Sequence, residues 1–306
     1  MSEAFYNYLL ELLGENQVLK NEPMSKHTTF KTGGNASVFV KIETKEQLVK
    51  LLHYLQIVER DYFILGNGSN LLVSDKGYDG VIIQIGSLMS DAYVKGDRIY
   101  AKAGASLAMV ARLAAGAGLT GMEFASGIPG TIGGAVRMNA GAYDSDMSQV
   151  VESVSVIDLQ GEEMTLDNAT MEFGYRRSAI VKTNHIVTEV VLKLTPGDEK
   201  EILAKMDDLN QRRRDKQPLE FPSAGSTFKR PEGHFAGKLI MDAGLKGYQI
   251  GGAAVSEKHC GFIINKGNAT STDVYRLIQY VKERVKEAYH VSLEPEVILL
   301  GEFPKD

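Results

Sequence analysis

Apolar positions recur along this chain at two spacings, and the switch between them maps its elements. Phe5, Tyr8, Leu9, Leu12 and Leu13 fall on one helical face and predict an amphipathic helix near the start. Residues 38–42 read as a strand. Thr44-Lys45-Glu46-Gln47 is a capping box, and Leu48, Leu51, Leu52 and Leu55 carry the stripe of the helix it opens. Residues 62–65, 81–85 and 98–102 predict further strands, and residues 106–117 an Ala-rich helix. Residues 150–159 and 186–194 alternate apolar and polar side chains, the pattern of half-buried antiparallel strands.

The later part changes period. Ile202, Leu203, Met206 and Leu209 mark a helix running into Arg212-Arg213-Arg214. A strand at 261–265, a helix at 272–289 striped by Val274, Leu277, Ile278, Val281 and Val285, and a strand at 297–300 follow. Thr195-Pro196-Gly197-Asp198 is the best boundary signal. The expected class is α+β or mixed α/β, in at least two domains.

Composition narrows the partners. A net charge of −5 gives no long-range attraction for nucleic acid or anionic lipid, so an anionic ligand needs a local basic site. The single cysteine, Cys260, excludes an intrachain disulfide and multi-cysteine metal sites, which fits a reducing cytosol. Histidines 27, 53, 185, 234, 259 and 290 show no ligand spacing, and no metal is expected. The opening residues carry an early acid and no basic region, unlike a secretory signal. No apolar run approaches the ~18 residues a membrane span needs. A cytoplasmic enzyme with no membrane or nucleic-acid partner is the expectation.

Five stretches could carry chemistry. Gly66-Asn67-Gly68-Ser69-Asn70-Leu71 follows a strand, where closely spaced glycines let backbone N–H groups form an anion nest; a plain tight turn is the alternative. Gly127-Ile128-Pro129-Gly130-Thr131-Ile132-Gly133-Gly134, continuing to Asn139-Ala140-Gly141-Ala142, is dense enough in glycine for close approach to a flat ligand, or for a compact loop between domains. Gly174-Tyr175-Arg176-Arg177 offers guanidinium forks that bind carboxylates, or two solvated arginines. Ser223-Ala224-Gly225-Ser226-Thr227-Phe228-Lys229-Arg230 leaves the Ser226 hydroxyl accessible beside positive charge, with no adjacent histidine to make it a nucleophile. Glu294-Pro295-Glu296-Val297 brings a carboxylate into an apolar strand, where burial would shift its pKa. By contrast, Gly116-Ala117-Gly118-Leu119-Thr120-Gly121 matches G-x-G-x-x-G only in letters. It ends a helix instead of opening one, so it reads as a C-cap turn.

Taken in order, these motifs, together with His27-Thr28-Thr29-Phe30-Lys31-Thr32-Gly33-Gly34 and Gly247-Tyr248-Gln249-Ile250-Gly251-Gly252-Ala253, resemble the UDP-N-acetylenolpyruvoylglucosamine reductase (MurB) family over residues 24–301. The resemblance implies an FAD domain of the p-cresol methylhydroxylase/vanillyl-alcohol oxidase type, built of two α+β subdomains. It would span residues 1–197, with an N-terminal helix within 1–22. A smaller α+β substrate domain would span 198–306. It implies NADPH-dependent reduction of an enolpyruvyl UDP-sugar for peptidoglycan precursors. Arg176, Ser226 and Glu296 match the catalytic positions, with Ser226 the proton donor. Gly66, Asn67, Gly68, Ser69, Asn70, Leu71, Gly127, Pro129, Gly130, Gly133, Gly134, Asn139, Gly141 and Ala142 match the FAD loops. Tyr175, Lys229, Arg230 and Gln249 match substrate contacts. The short stretch from Arg176 to Lys205, with Arg230, resembles the loop-lacking type II branch. Two other readings stay open: an oxidase of the same fold, and a non-catalytic nucleotide-sugar sensor.

Overall fold

A computed structural model describes residues 2–304. The chain divides into two compact units, each assembled from separated stretches. The first holds the residues up to Lys20, Val38–Asn67 and Gly80–Arg213; the second holds Asn21–Ser37, Gly68–Asp79 and the chain from Arg214 onward.

In the first unit, the helix Glu3–Leu13 is capped by Ser2, whose Oγ accepts from Phe5 N at 3.3 Å, and it buries Phe5, Leu9 and Leu13. The helix Lys45–Ile57 carries the full capping box of Thr44 and Gln47 and buries all four stripe leucines. Tyr62–Leu65 pairs in parallel with Tyr78–Gln84 in a four-stranded sheet. A five-stranded antiparallel sheet runs in the order Glu163–Asp167, Val151–Ile157, Ile186–Lys193, Arg98–Lys102, Ala92–Lys95. Register shifts at Val151/Ser153 and Ser155/Val156 interrupt strict alternation along its second strand. The helix Leu107–Gly116 starts at an Ser106 cap. It ends where the G-x-G-x-x-G letters begin, and Gly118 takes φ +64°, so that motif is a turn.

The helix Glu199–Lys216 stays with the first unit as far as Arg213, because Ile202 and Met206 bury in that unit's core. Leu203, expected on its buried face, is 41 % exposed: the apolar stripe is narrower than four residues imply.

In the second unit, the helix Ser271–Tyr289, with Thr270 and Asp273 as its capping box, buries Val274, Leu277, Ile278, Val281 and Val285. These pack in one core with Ala253, Val255 and Ile263 of a three-stranded antiparallel sheet. Leu71–Val73 and Ile298–Leu300 form a separate parallel pair. Three short helices are not visible as apolar patterns: Ile132–Met138 and Ala179–Thr183 in the first unit and Ala236–Asp242 in the second. No described helix is long and apolar enough to cross a membrane.

Candidate active site

In the first unit the two glycine-rich loops meet. A Cβ on Gly66 would lie 2.5 Å from Thr131 Oγ1. That hydroxyl caps the helix Ile132–Met138 by accepting from Gly134 N at 3.3 Å. Gly133 N donates to Ala103 O at 2.9 Å, and a Cβ on Gly133 would sit 2.8 Å from Ala103 Cβ. Gly130 O accepts from Leu107 N at 3.0 Å. A Cβ on Gly141 would lie 2.5 Å from Ser145 O, across the pairing of Ala142 with Ser145. Much of the glycine density therefore answers loop-on-loop packing. Pro129 and Gly134 are exposed.

Asn139 sits at φ +46°, and its buried side chain is fully engaged. Its Nδ2 donates to Asp146 Oδ2 at 3.2 Å and to Gly174 O at 3.1 Å, and its Oδ1 accepts from Ser148 N at 2.9 Å. It thus ties the Gly141 loop to the turn that presents Arg176. That turn is closed by Gly174 N to Arg177 O at 3.0 Å and Arg177 N to Gly174 O at 3.2 Å. Arg176 lies in the left-handed region at φ +53°, its Nη2 donates to Gly141 O at 3.5 Å, and its guanidinium is 5.3 Å from the Tyr175 ring centroid. A non-glycine residue held there is strained backbone of the kind found at working sites.

The helix Glu199–Lys216 clamps the same loops, a role with no sequence motif behind it. Asn210 Nδ2 donates to Ser126 Oγ at 3.2 Å, and Tyr143 Oη donates to Leu209 O at 3.1 Å. Glu123, 3 % exposed, accepts from Thr120 Oγ1 at 2.5 Å and Gly121 N at 2.9 Å, with Lys205 Nζ 3.9 Å away. Burial pushes this carboxyl up, but the Thr120 and backbone hydrogen bonds and the Lys205 charge together hold it below the ordinary value.

In the second unit, Gly68 takes φ +61°, and a Cβ there would run into the His27 carbonyl. Thr29 N donates to Gly68 O at 3.2 Å. Downstream, Asn70 Nδ2 donates to Glu296 O at 3.0 Å, and Ile298 N to Asn70 O at 3.0 Å. Leu71 is buried and pairs with Ile298. Facing Glu296 across a short antiparallel ribbon is the Ser226 segment. Glu296 N donates to Thr227 O at 2.8 Å, Lys229 N to Glu294 O at 2.9 Å, and Phe228 bridges Pro295. Thr227 anchors the ribbon from beneath, fully buried, with its Oγ1 accepting from Ile263 N at 2.9 Å. Gly225 supplies φ +73° just before Ser226, and the half-buried Ser226 hydroxyl makes no hydrogen bond among the described residues. Ser226 and Glu296 therefore come from 70 positions apart in sequence to adjoining positions on one ribbon.

Of the substrate-contact candidates in this unit, Lys229 pairs with Glu294, Arg230 lies 4.3 Å over the Phe235 ring, and exposed Gln249 donates to Gly251 O at 2.7 Å. Cys260 is buried, which pushes its thiol pKa up and keeps it protonated and unreactive.

The donor set of each unit suits an anionic nucleotide cofactor. In the first unit, burial depresses the pKa of Arg137 and of Arg213, and neither pairs with a carboxylate among the described residues. The second contributes the Gly68 turn and the Ser69 hydroxyl. Both arginines are partly exposed, and such cations and donors are of the kind that hold phosphate oxygens.

Comparison with known proteins agrees with that chemistry. Residues 36–167 match the FAD binding domain family, and residues 217–300 match the UDP-N-acetylenolpyruvoylglucosamine reductase C-terminal domain. The UDP-N-acetylenolpyruvoylglucosamine reductase of Caldanaerobacter subterraneus subsp. tengcongensis is 52% identical over 302 residues, covering 99% of this chain and 100% of that protein. That of Geobacillus kaustophilus is 48% identical over 98% of this chain and 99% of its own length. The crystal structure of the enzyme from Thermus caldophilus superposes with a TM-score of 0.80 at 35% identity, over 93% of this chain and 98% of that one. A glucose dehydrogenase, Phl p 4.0202, shares the fold alone over 63% of this chain, at 12% identity and a TM-score of 0.50. The chain belongs to the UDP-N-acetylenolpyruvoylglucosamine reductase family, an α+β flavoenzyme family with an FAD-binding domain followed by its own C-terminal domain.

Proposed function

We propose that the protein reduces UDP-N-acetylglucosamine enolpyruvate to UDP-N-acetylmuramate with NADPH, a cytoplasmic step of peptidoglycan precursor synthesis. The observation that carries this reading is the ribbon that sets a Ser226 hydroxyl, without a hydrogen bond among the described residues, beside the Glu296 backbone. Residues 1–197 would serve the flavin and residues 198–306 the sugar nucleotide, in the manner of the loop-lacking branch. When bound, FAD supplies the hydride that NADPH delivers.

The loop from Gly66 to Leu71 would hold the FAD diphosphate. Gly127, Pro129, Gly130, Gly133, Gly134, Gly141 and Ala142 would line the cofactor with backbone, while Asn139 would shape that lining from behind. Tyr175, Lys229, Arg230 and Gln249 would contact the substrate.

Hydride arrival at the β-carbon of the enol ether leaves negative charge on the substrate carboxylate as an enolate. Arg176 would hold that charge through its fork, since guanidinium stays charged and matches carboxylate geometry. Glu296, if protonated, would add a neutral hydrogen-bond donor. Ser226 would pass its proton to the α-carbon, which completes the lactyl ether. A hydroxyl is a weak acid, so it works only against a base as strong as that enolate.

The test is stoichiometry. Purified protein given NADPH and the enolpyruvyl sugar is expected to form one lactyl ether, heavier than its substrate by two hydrogens, per NADPH oxidised. NADPH oxidation with the enolpyruvyl sugar left unchanged would rule the reading out.

A further inference from the structure

The Ser226 segment is held on one side by the turn from Ser256 to Phe262, and the join runs through a glycine. Thr227 N donates to Gly261 O at 2.8 Å. That N–H belongs to the planar peptide joining Ser226 to Thr227, so the Gly261 carbonyl sets how Ser226 enters the ribbon. Glu296 N and Ile263 N hold the carbonyl and the hydroxyl of Thr227. Gly261 itself has no side chain to restrict its backbone. Its N–H donates to His259 Nδ1 at 3.1 Å.

His259 is built into that place. Its N donates to the Oγ of buried Ser256 at 3.2 Å, and its carbonyl accepts from Phe262 N at 2.9 Å. Ser256 N closes the turn on Phe262 O at 2.9 Å. The imidazole meets the Phe262 ring edge-on, with centroids 5.0 Å apart. Two glycines leave the room it occupies: a Cβ on Gly261 would lie 2.9 Å from His259 Cε1, and one on Gly237 3.4 Å from it. Burial pushes the His259 pKa below the ordinary histidine value, so at neutral pH Nδ1 keeps the lone pair that accepts from Gly261. The ring nitrogen thus does what an Asn side-chain oxygen does in an Asx turn, accepting from the N–H two residues on.

We propose that His259 is a positioning residue for Ser226: its Nδ1 fixes Gly261, and Gly261 fixes the peptide from which the Ser226 side chain projects. The proposal rests on the function proposed above. His259 transfers no proton itself. A hydroxyl that protonates carbon must stand within hydrogen-bond reach of it, and a misplacement of about 1 Å costs roughly a hundredfold in rate. The chain before Ser226 turns at Gly225, φ +73°, so the Gly261 carbonyl on the following peptide is what steadies the residue.

The experiment uses the FAD-loaded enzyme and follows two half-reactions by stopped flow: flavin reduction by NADPH, and reoxidation by saturating enolpyruvyl UDP-sugar. His259→Leu keeps the bulk and removes the acceptor. It should slow reoxidation roughly ten- to hundredfold and leave flavin reduction unchanged. His259→Asn, whose side-chain oxygen can accept from Gly261 N, should restore most of the rate. His259→Gln carries its amide toward the Nε2 end of the ring and should not. In a Ser226→Ala background, His259→Leu should cost nothing further, because the group it places is gone. Reoxidation at the wild-type rate in His259→Leu overturns the proposal. So does an equal loss with and without the Ser226 hydroxyl, and so does a His259→Gln variant as fast as His259→Asn or faster. Should His259→Leu not fold, the Asn and Gln variants carry the test. A wild-type flavin that NADPH reduces and the sugar leaves reduced fails the proposed function itself, a separate result.

Discussion

Ser226 and Glu296, the residues proposed to act on the substrate, show how little of such a role lies in a residue's own letter. Ser226 stands out because Gly225 turns the chain before it and Thr227 pins the chain after it, which leaves its hydroxyl without a hydrogen bond among the described residues. Replacing it with alanine should leave flavin reduction by NADPH nearly intact and slow reoxidation by the enolpyruvyl sugar by roughly a hundred- to ten-thousandfold. Stopped-flow traces of the two half-reactions check this, and an equal fall in both would remove the proton-donor role. Glu123 holds Thr120 and Gly121 and faces Lys205. Its folded pKa lies below its unfolded one, so its contribution to stability is full above the ordinary carboxylate value of 4.5 and is lost as pH falls through the folded value. Glu123→Gln should therefore destabilise the protein by about 1–3 kcal/mol at neutral pH, with a smaller difference at pH below 4. Thermal unfolding across that range reads the effect. A difference independent of pH would mean that the charge is not what holds Thr120, Gly121 and Lys205.

At the scale of elements, the loop from Gly66 to Asn70 is two devices in one. Its first glycine lets Thr131 approach; its second turns against the His27 carbonyl and leads through Asn70 to the strand after Glu296. Gly68→Ala asks for φ +61° with a side chain and places it on backbone that cannot yield. The strain alone costs about 1–3 kcal/mol. The variant should purify with little or no FAD and a lowered melting temperature. Full FAD content at the wild-type melting temperature would mean that the loop's conformation is not needed for the cofactor. Elements with strong local signals were legible in advance: the Thr44–Gln47 box, the leucine stripe behind it and the five-residue stripe of Ser271–Tyr289. The helix Ile132–Met138 was not, because two glycines in seven residues argue against a helix, and only the Thr131 cap and burial of Ile132, Ala135 and Val136 make one there. Asn139, legible as part of a ligand loop, spends its side chain on Asp146, Gly174 and Ser148.

For the whole molecule, the two compact units do not follow the chain in sequence. The second unit gathers Asn21–Ser37 and Gly68–Asp79 with the C-terminal third, so residues next to the glycine loop fold with Ser226 and Glu296. No linear boundary signal could reveal that, because it follows from pairings such as Leu71 with Ile298. On the proposed function, a flavin joins NADPH to an enolpyruvyl acid in this protein. The most direct measurement is the visible absorption of the purified, FAD-loaded protein under anaerobic conditions. Addition of NADPH should bleach the flavin bands, and addition of the enolpyruvyl UDP-sugar should restore them in step with lactyl ether formation. A protein that takes up no flavin, or a bleached flavin that the sugar leaves bleached, would contradict the account.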